Sequence, residues 1–241
     1  MRESMMGGRA VDAGRGWTWI ADGFGLFKKA PGMWIALAIV LLVIVVVLSF
    51  VNTIFFLGSI ATLLLMPVFV GGMMLGCRAL QGGGRLEVGH LFAGFKEHTG
   101  NLIVLGALNI LAGIVVMIPV LVIVGAGTIF GVMRGDAAGV AAMGGSFMLA
   151  GLVALALSIP IYMALWFAPA LVVLRGLAPM AAVRESFLGC LKNMVPFLIY
   201  GIVLLVPSIF ATIPFLLGWL VLLPVVIASI YVAYRDIYGD A

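Results

Sequence analysis

Metal coordination and nucleophilic catalysis both need imidazole, thiolate or carboxylate groups brought together. The sequence holds two histidines, His90 and His98, and two cysteines, Cys77 and Cys190. Eight positions on a helix set the histidines about 80° apart with more than two turns of rise between them, too far for one ion. Neither cysteine has a Cys-x-x-Cys or His-x-x-x-His partner, so the reading includes no metal, no cofactor and no catalytic residue. Cys190 fits the apolar face of its own helix better than a reactive site. The cysteines do not make a disulfide framework either.

Carboxylates or lysines inside the apolar segments would mark an ion or substrate path. There are none: Met33 to Cys77, Asn101 to Met133, Ala137 to Leu174 and Met194 to Tyr234 contain no Asp, Glu, Lys or Arg. The polar side chains left in those stretches, chiefly Asn109, Tyr162 and Tyr200, are candidates for a polar pathway or for packing between helices. A second chemistry is more frequent in the sequence. Trp17, Trp19, Phe24, Lys28, Lys96 and Lys192 pair aromatic bodies with cationic heads beside hydrophobic runs, the combination that contacts lipid headgroups or a membrane partner.

These side chains need elements to place them. Of 241 residues, 65% are hydrophobic and 9% charged, and mean hydropathy is +1.32, so hydrocarbon is the solvent the chain is built for. The fold expected is all-α: a polytopic membrane bundle of six transmembrane helices. They lie near Met33 to Val51, Ile54 to Leu75, Leu102 to Phe130, within Ala141 to Leu174, Pro196 to Ile213, and Phe215 to Tyr234. The fourth run would reach about 50 Å as one helix, against a hydrocarbon core of about 30 Å. It must tilt and kink at Pro160 or Pro169, leave its glycine-rich start at Gly144 and Gly145 outside, or split into two short spans.

With six spans, the segments before, between and after the helix pairs collect all but Arg134 of the 13 lysines and arginines. The positive-inside rule then puts both termini in the cytoplasm. The segment before the first span has no continuous apolar core followed by a small-residue cleavage site, so a cleaved signal peptide is not expected and the first span should stay in place. Basic residues are scattered rather than run together, and no base-stacking module accompanies them, so nucleic acid is not an expected partner.

Three inside segments repeat one pattern. Phe27-Lys28, Phe95-Lys96 and Leu191-Lys192 align, each followed four residues after the lysine by Gly32, Gly100 or Pro196, where a hydrophobic run begins. On a helical wheel Trp17, Ile20, Phe24 and Phe27 share a side, as do Val88, Leu91, Phe92 and Phe95, and Val183, Phe187, Cys190, Leu191 and Met194. Each segment reads as a cytoplasmic-side amphipathic helix introducing a hairpin of two spans. The organisation expected is a flexible cytoplasmic N-terminus over 1–15 and a single membrane domain over 16–241, with repeat units 16–76, 85–174 and 179–235.

Gly16-Trp17, Trp19-Ile20, Gly23-Phe24 and Leu26-Phe27, the strings MLGCRAL, GHLFAGF, WFAPALVVLRGLAP and ESFLGCLKN, and the final YRDIYG carry a resemblance running from Gly16 to Tyr238. The chain resembles a proteobacterial family of uncharacterised transmembrane proteins, the BPSS-type proteins. The resemblance implies a bacterial inner-membrane location with cytoplasmic termini and supplies no substrate or functional residue. The function expected is a non-enzymatic membrane component that contacts membrane lipids, including anionic ones, a membrane protein partner, or further copies of itself. The alternative is a small-solute transporter or channel-like permease.

Overall fold

The computed structural model describes residues 8–55 and 57–239. They form helices α1 (Arg15–Lys28), α2 (Pro31–Phe55), α3 (Leu57–Gln81), a 3₁₀ helix (Val88–Phe95), α4 (Thr99–Arg134), α5 (Ala137–Trp166), α6 (Ala168–Arg175), α7 (Pro179–Lys192), α8 (Met194–Thr212) and α9 (Trp219–Tyr238). Six segments are long and apolar enough to cross a membrane: those of α2, α3, α4, α5 with α6, α8 and α9. The chain is an all-α polytopic membrane bundle. Helices close every backbone hydrogen bond within the segment, as a hydrocarbon solvent requires.

The core sits at one end of the bundle, where the charged residues of both described chain ends also gather. Each span contributes the half nearest that end: Trp34, Leu37 and Leu41 of α2, Val68 to Leu80 of α3, Leu102 and Leu105 of α4, Tyr200 of α8, and Val225 to Tyr238 of α9. α6 is buried almost throughout, from Ala168 to Leu174, and forms the middle of this core. Toward the other end, side-chain hydrogen bonds tie successive spans. Ser59 N–H donates to Asn52 between α2 and α3, the Arg134 guanidinium donates to Asp136 between α4 and α5, and Trp219 Nε1 donates to Thr212 between α8 and α9. Leu121, Val122, Met148 and Phe210, in the far halves of α4, α5 and α8, are exposed on the surface of the protein, as suits side chains facing lipid rather than water.

The fourth hydrophobic run is one long helix followed by a short one. α5 includes Gly144 and Gly145 and continues through Pro160. The break falls at Phe167, and α6 restarts with Pro169 in its first turn. A side chain from α7 occupies the break: the Phe167 N–H donates to Ser186 Oγ at 3.0 Å, and Ser186 Oγ–H donates to the Met163 carbonyl at 2.7 Å. These are the two backbone groups that an unbroken helix would have paired with each other. An inserted side chain bends the helix here, one of the recognised causes of a kink. With eight residues, α6 rises about 12 Å and cannot cross a bilayer by itself.

Two span ends also move. α4 begins at Thr99 and reaches Arg134, a rise of about 54 Å, so it must tilt steeply or extend past the hydrocarbon. α9 starts at Trp219 instead of Phe215. Phe215 and Leu216 lie in a turn at φ 49° and 67°, left-handed values that end α8 and redirect the chain after Pro214.

Candidate functional site

The candidate site is the charged end, where α1, the 3₁₀ helix and α7 meet the spans. The faces they turn inward overlap only in part with the stripes the wheel gave. α1 buries Gly16, Trp19, Gly23, Leu26 and Phe27, and α7 buries Ala182, Ser186, Gly189 and Cys190; Phe27 and Cys190 belong to those stripes, and the other buried positions lie about 100° round from them. The reason is backbone proximity. A Cβ on Gly23 would stand 2.7 Å from Ser229 N of α9, so α1 and α9 cross at a separation only glycine permits. Beside these close contacts several large apolar side chains still face out: Trp17 and Phe24 on α1, Met180 and Leu191 on α7, and Met194 at the start of α8 are exposed.

The middle segment is a 3₁₀ helix rather than the α-helix expected. Its Gly94 rests on the Val68 backbone and Gly72 of α3 rests on its His90 carbonyl, and this close seating fixes its path. Glu87 caps its start, while the Glu87 N–H donates to His90 Nδ1 at 3.0 Å. Leu91 and Gly94 are buried; Phe92 and Phe95 are partly exposed and meet Phe69 edge-on at 6.1 and 5.4 Å.

The three aligned lysines sit at or next to the ends of the short helices. Lys28, in the last turn of α1, lies over the Phe24 ring at 5.2 Å. Lys96 follows the 3₁₀ helix directly, and Lys192 ends α7 with its ammonium donating to the Gly8 carbonyl at 3.1 Å. All three are exposed. Trp19 is not. Its side chain is fully buried, its ring 5.2 Å from that of Phe197, so it cannot serve as the lipid contact the sequence suggested. Trp34 is likewise buried in the core.

Trp19 belongs instead to a knot that sequence reasoning missed. Asp236 of α9 accepts from Trp19 Nε1 at 2.9 Å, Arg15 Nε at 2.5 Å and Arg9 Nη2 at 3.2 Å. The Arg9 N–H also donates to the Ile237 carbonyl, and the Val11 N–H to Asn193 Oδ1. The stretch just before α1, expected to be flexible, is therefore tied at residues 9 and 11; residues 1–7 lie outside the described residues. The signal was present in sequence as GWTW and YRDIYG, whose residues meet here.

The remaining candidates separate. Tyr162 and Tyr200 line one cleft between α5 and α8, with Trp166, Phe197 and Gly201. The Tyr200 hydroxyl is spent on Ser229 Oγ at 2.7 Å, while Tyr162 stands at the exposed rim. Asn109 is half-buried on α4, away from that cleft. No group of His, Cys, Asp or Glu among the described residues could hold a metal. Cys77 and Cys190 are buried. Burial pushes the Cys190 thiol up to about 12 against a smaller pull from the Ser186 hydroxyl, so it stays protonated and a weak nucleophile at neutral pH.

No family model matches the chain, and no solved structure matches it. One curated relative shares 30% identity over 200 residues, covering 80% of this chain and 73% of its own length: a probable inner membrane protein of Burkholderia thailandensis. At that identity and coverage, the multi-pass helical chain belongs to this proteobacterial family of inner-membrane proteins.

Proposed function

We propose that this is a non-enzymatic inner-membrane component whose three short helices seat it on anionic lipid at the cytoplasmic face. Both termini would then lie in the cytoplasm. The charge distribution supports that orientation: of the lysines and arginines among the described residues, only Arg134 lies at the far end of the α4–α5 pair. In this reading the chain is three units, each a short helix followed by two spans paired as a hairpin.

One observation carries the proposal. Each short helix is seated on the bundle by one face and keeps large apolar side chains exposed on another, and an exposed lysine stands at or beside its end. Trp17 and Phe24 with Lys28, Phe92 and Phe95 with Lys96, and Leu191 with Lys192 each combine an apolar body with a cationic head. Such a surface partitions into the headgroup layer and draws anionic lipid, at about 1 kcal/mol per basic residue.

The test replaces Lys28, Lys96 and Lys192 together with Glu and measures selection of anionic over zwitterionic lipid in reconstituted vesicles, alongside topology. Reduced selection supports the reading; unchanged selection and topology would remove the role assigned to these lysines.

A further inference from the structure

We propose that the cleft between α5 and α8 holds one acyl chain of a resident phospholipid. The inference rests on the membrane location and not on the three lysines. The cleft encloses about 710 Å³. Its walls are Ile159, Met163 and Trp166 of α5 and Phe197, Gly201 and Leu204 of α8, with Cys190 of α7 and Met194 at its base.

Three observations select the occupant. Water is a poor filler: a buried water needs two to four polar partners, whereas the walls are apolar and the Tyr200 hydroxyl is already bonded to Ser229. An acyl chain fits, because at about 30 Å³ per carbon, the share of a water molecule, sixteen carbons take roughly 480 Å³. The rim is open, with Tyr162, Val195 and Leu198 exposed where hydrocarbon surrounds the spans.

The slot is also shaped in advance. Trp166, Phe197 and Tyr200 brace one another edge-on at centroid distances of 6.2 to 6.4 Å. Gly201 leaves an open groove: a Cβ there would meet nothing within 4 Å. The cleft ends at the first turn of α8, which no side chain caps, since Asn193 Oδ1 accepts instead from the Val11 N–H. The polar end of a lipid chain therefore emerges beside a helix N-terminus, which favours a phosphodiester.

The experiment compares phospholipid retained per chain after gentle detergent purification and an extended wash, identified by native mass spectrometry. The wild type should retain one phospholipid per chain. Gly201→Phe should reduce retention about tenfold, a loss of about 1.4 kcal/mol in binding. Gly151→Phe, at another open glycine that does not line the cleft, should leave it unchanged. No lipid on the wild type, equal retention by Gly201→Phe, or a polypeptide as the retained mass would each overturn the proposal.

A second measurement needs no change at Gly201. In vesicles containing phospholipid brominated on its acyl chains, the fluorescence difference between wild type and Trp166→Phe should be quenched with saturation at a low fraction of brominated lipid. Quenching in simple proportion to that fraction would mean bulk lipid only and would overturn the claim. Neither readout involves Lys28, Lys96 or Lys192, so failure here leaves the lysine reading to its own test.

Discussion

Replacing Ser186 with Ala removes one oxygen atom and should have an effect out of proportion to its size. That hydroxyl is fully buried and stands in for the missing helical bond at the α5–α6 break, accepting from the Phe167 N–H at 3.0 Å and donating to the Met163 carbonyl at 2.7 Å. Without it, two backbone groups are left unpaired in the core, each costing about 1–3 kcal/mol. Allowing for partial relaxation, the expected loss is about 2–4 kcal/mol, and at roughly 2–4 °C per kcal/mol for a chain of this size the melting temperature should fall by about 5–15 °C.

The control is Ser208→Ala. Ser208 Oγ donates to the Leu204 carbonyl at 2.7 Å, but that carbonyl lies inside unbroken α8, so the change should cost about 0.5 kcal/mol or less. The assay is thermal unfolding in detergent, followed by tryptophan fluorescence for both variants. If Ser186→Ala melts with the control, the insertion account is wrong. The Met163 carbonyl and Phe167 N–H must then re-pair directly, and the break has another cause.

Two further outcomes follow from the ends of the bundle. Asp236→Ala should cost about 2–3 kcal/mol, chiefly because the buried Trp19 N–H loses its acceptor; Arg9→Ala, at a side chain 68% exposed, should cost about 1 kcal/mol or less. The same melts would show it, and equal effects would contradict the buried role of Asp236. At the far tip, Asp136 accepts from Arg134 at 3.0 Å and caps α5 through the Gly139 N–H at 2.8 Å. The Arg134 guanidinium first, and then that N–H, hold its carboxyl below the usual carboxylate range. Its contribution is therefore complete above the ordinary carboxylate pKa and is lost as pH falls through the depressed one. The protection factors of amides at the start of α5, exchange corrected for its intrinsic pH dependence, should stay flat across neutral pH and fall only in acid, and Asp136→Asn should flatten that fall.

The spans were legible because long uncharged runs leave no alternative in hydrocarbon. The helix faces were less so, for a physical reason. The wheel marks an apolar stripe without saying which part meets the bundle: α1 and α7 approach closest at Gly16, Gly23, Ala182 and Gly189, bury Phe27 and Cys190 from the stripes, and leave Trp17, Phe24 and Leu191 outside. In a membrane, close backbone approach replaces hydrophobic exclusion as the cause of packing. Pro160 and Pro169 drew attention to the fourth run, and the break falls at Phe167, just before Pro169; that Ser186, a residue on another helix, pairs the backbone groups freed there is something no local pattern reveals. Trp19 resembled Trp17 as an interfacial anchor, and only the distant Asp236 draws it inward. Among the candidate site residues, the lysines sit at helix ends as their spacing suggested, while Asn109 and Tyr162 are not brought together.

The central claim, that the outward faces of the short helices lie in the lipid headgroup layer, is tested most directly by spin labels. Trp17, Phe92 and Leu191 would each be replaced by Cys in turn, against Gly83→Cys in the α3–3₁₀ connection as the water-exposed reference, and collision with oxygen compared with collision with a water-soluble nickel complex in anionic vesicles. The account predicts that the three sites favour oxygen, at a depth near the phosphates, while Gly83 favours nickel. Nickel accessibility at all three sites equal to that at Gly83 would contradict it.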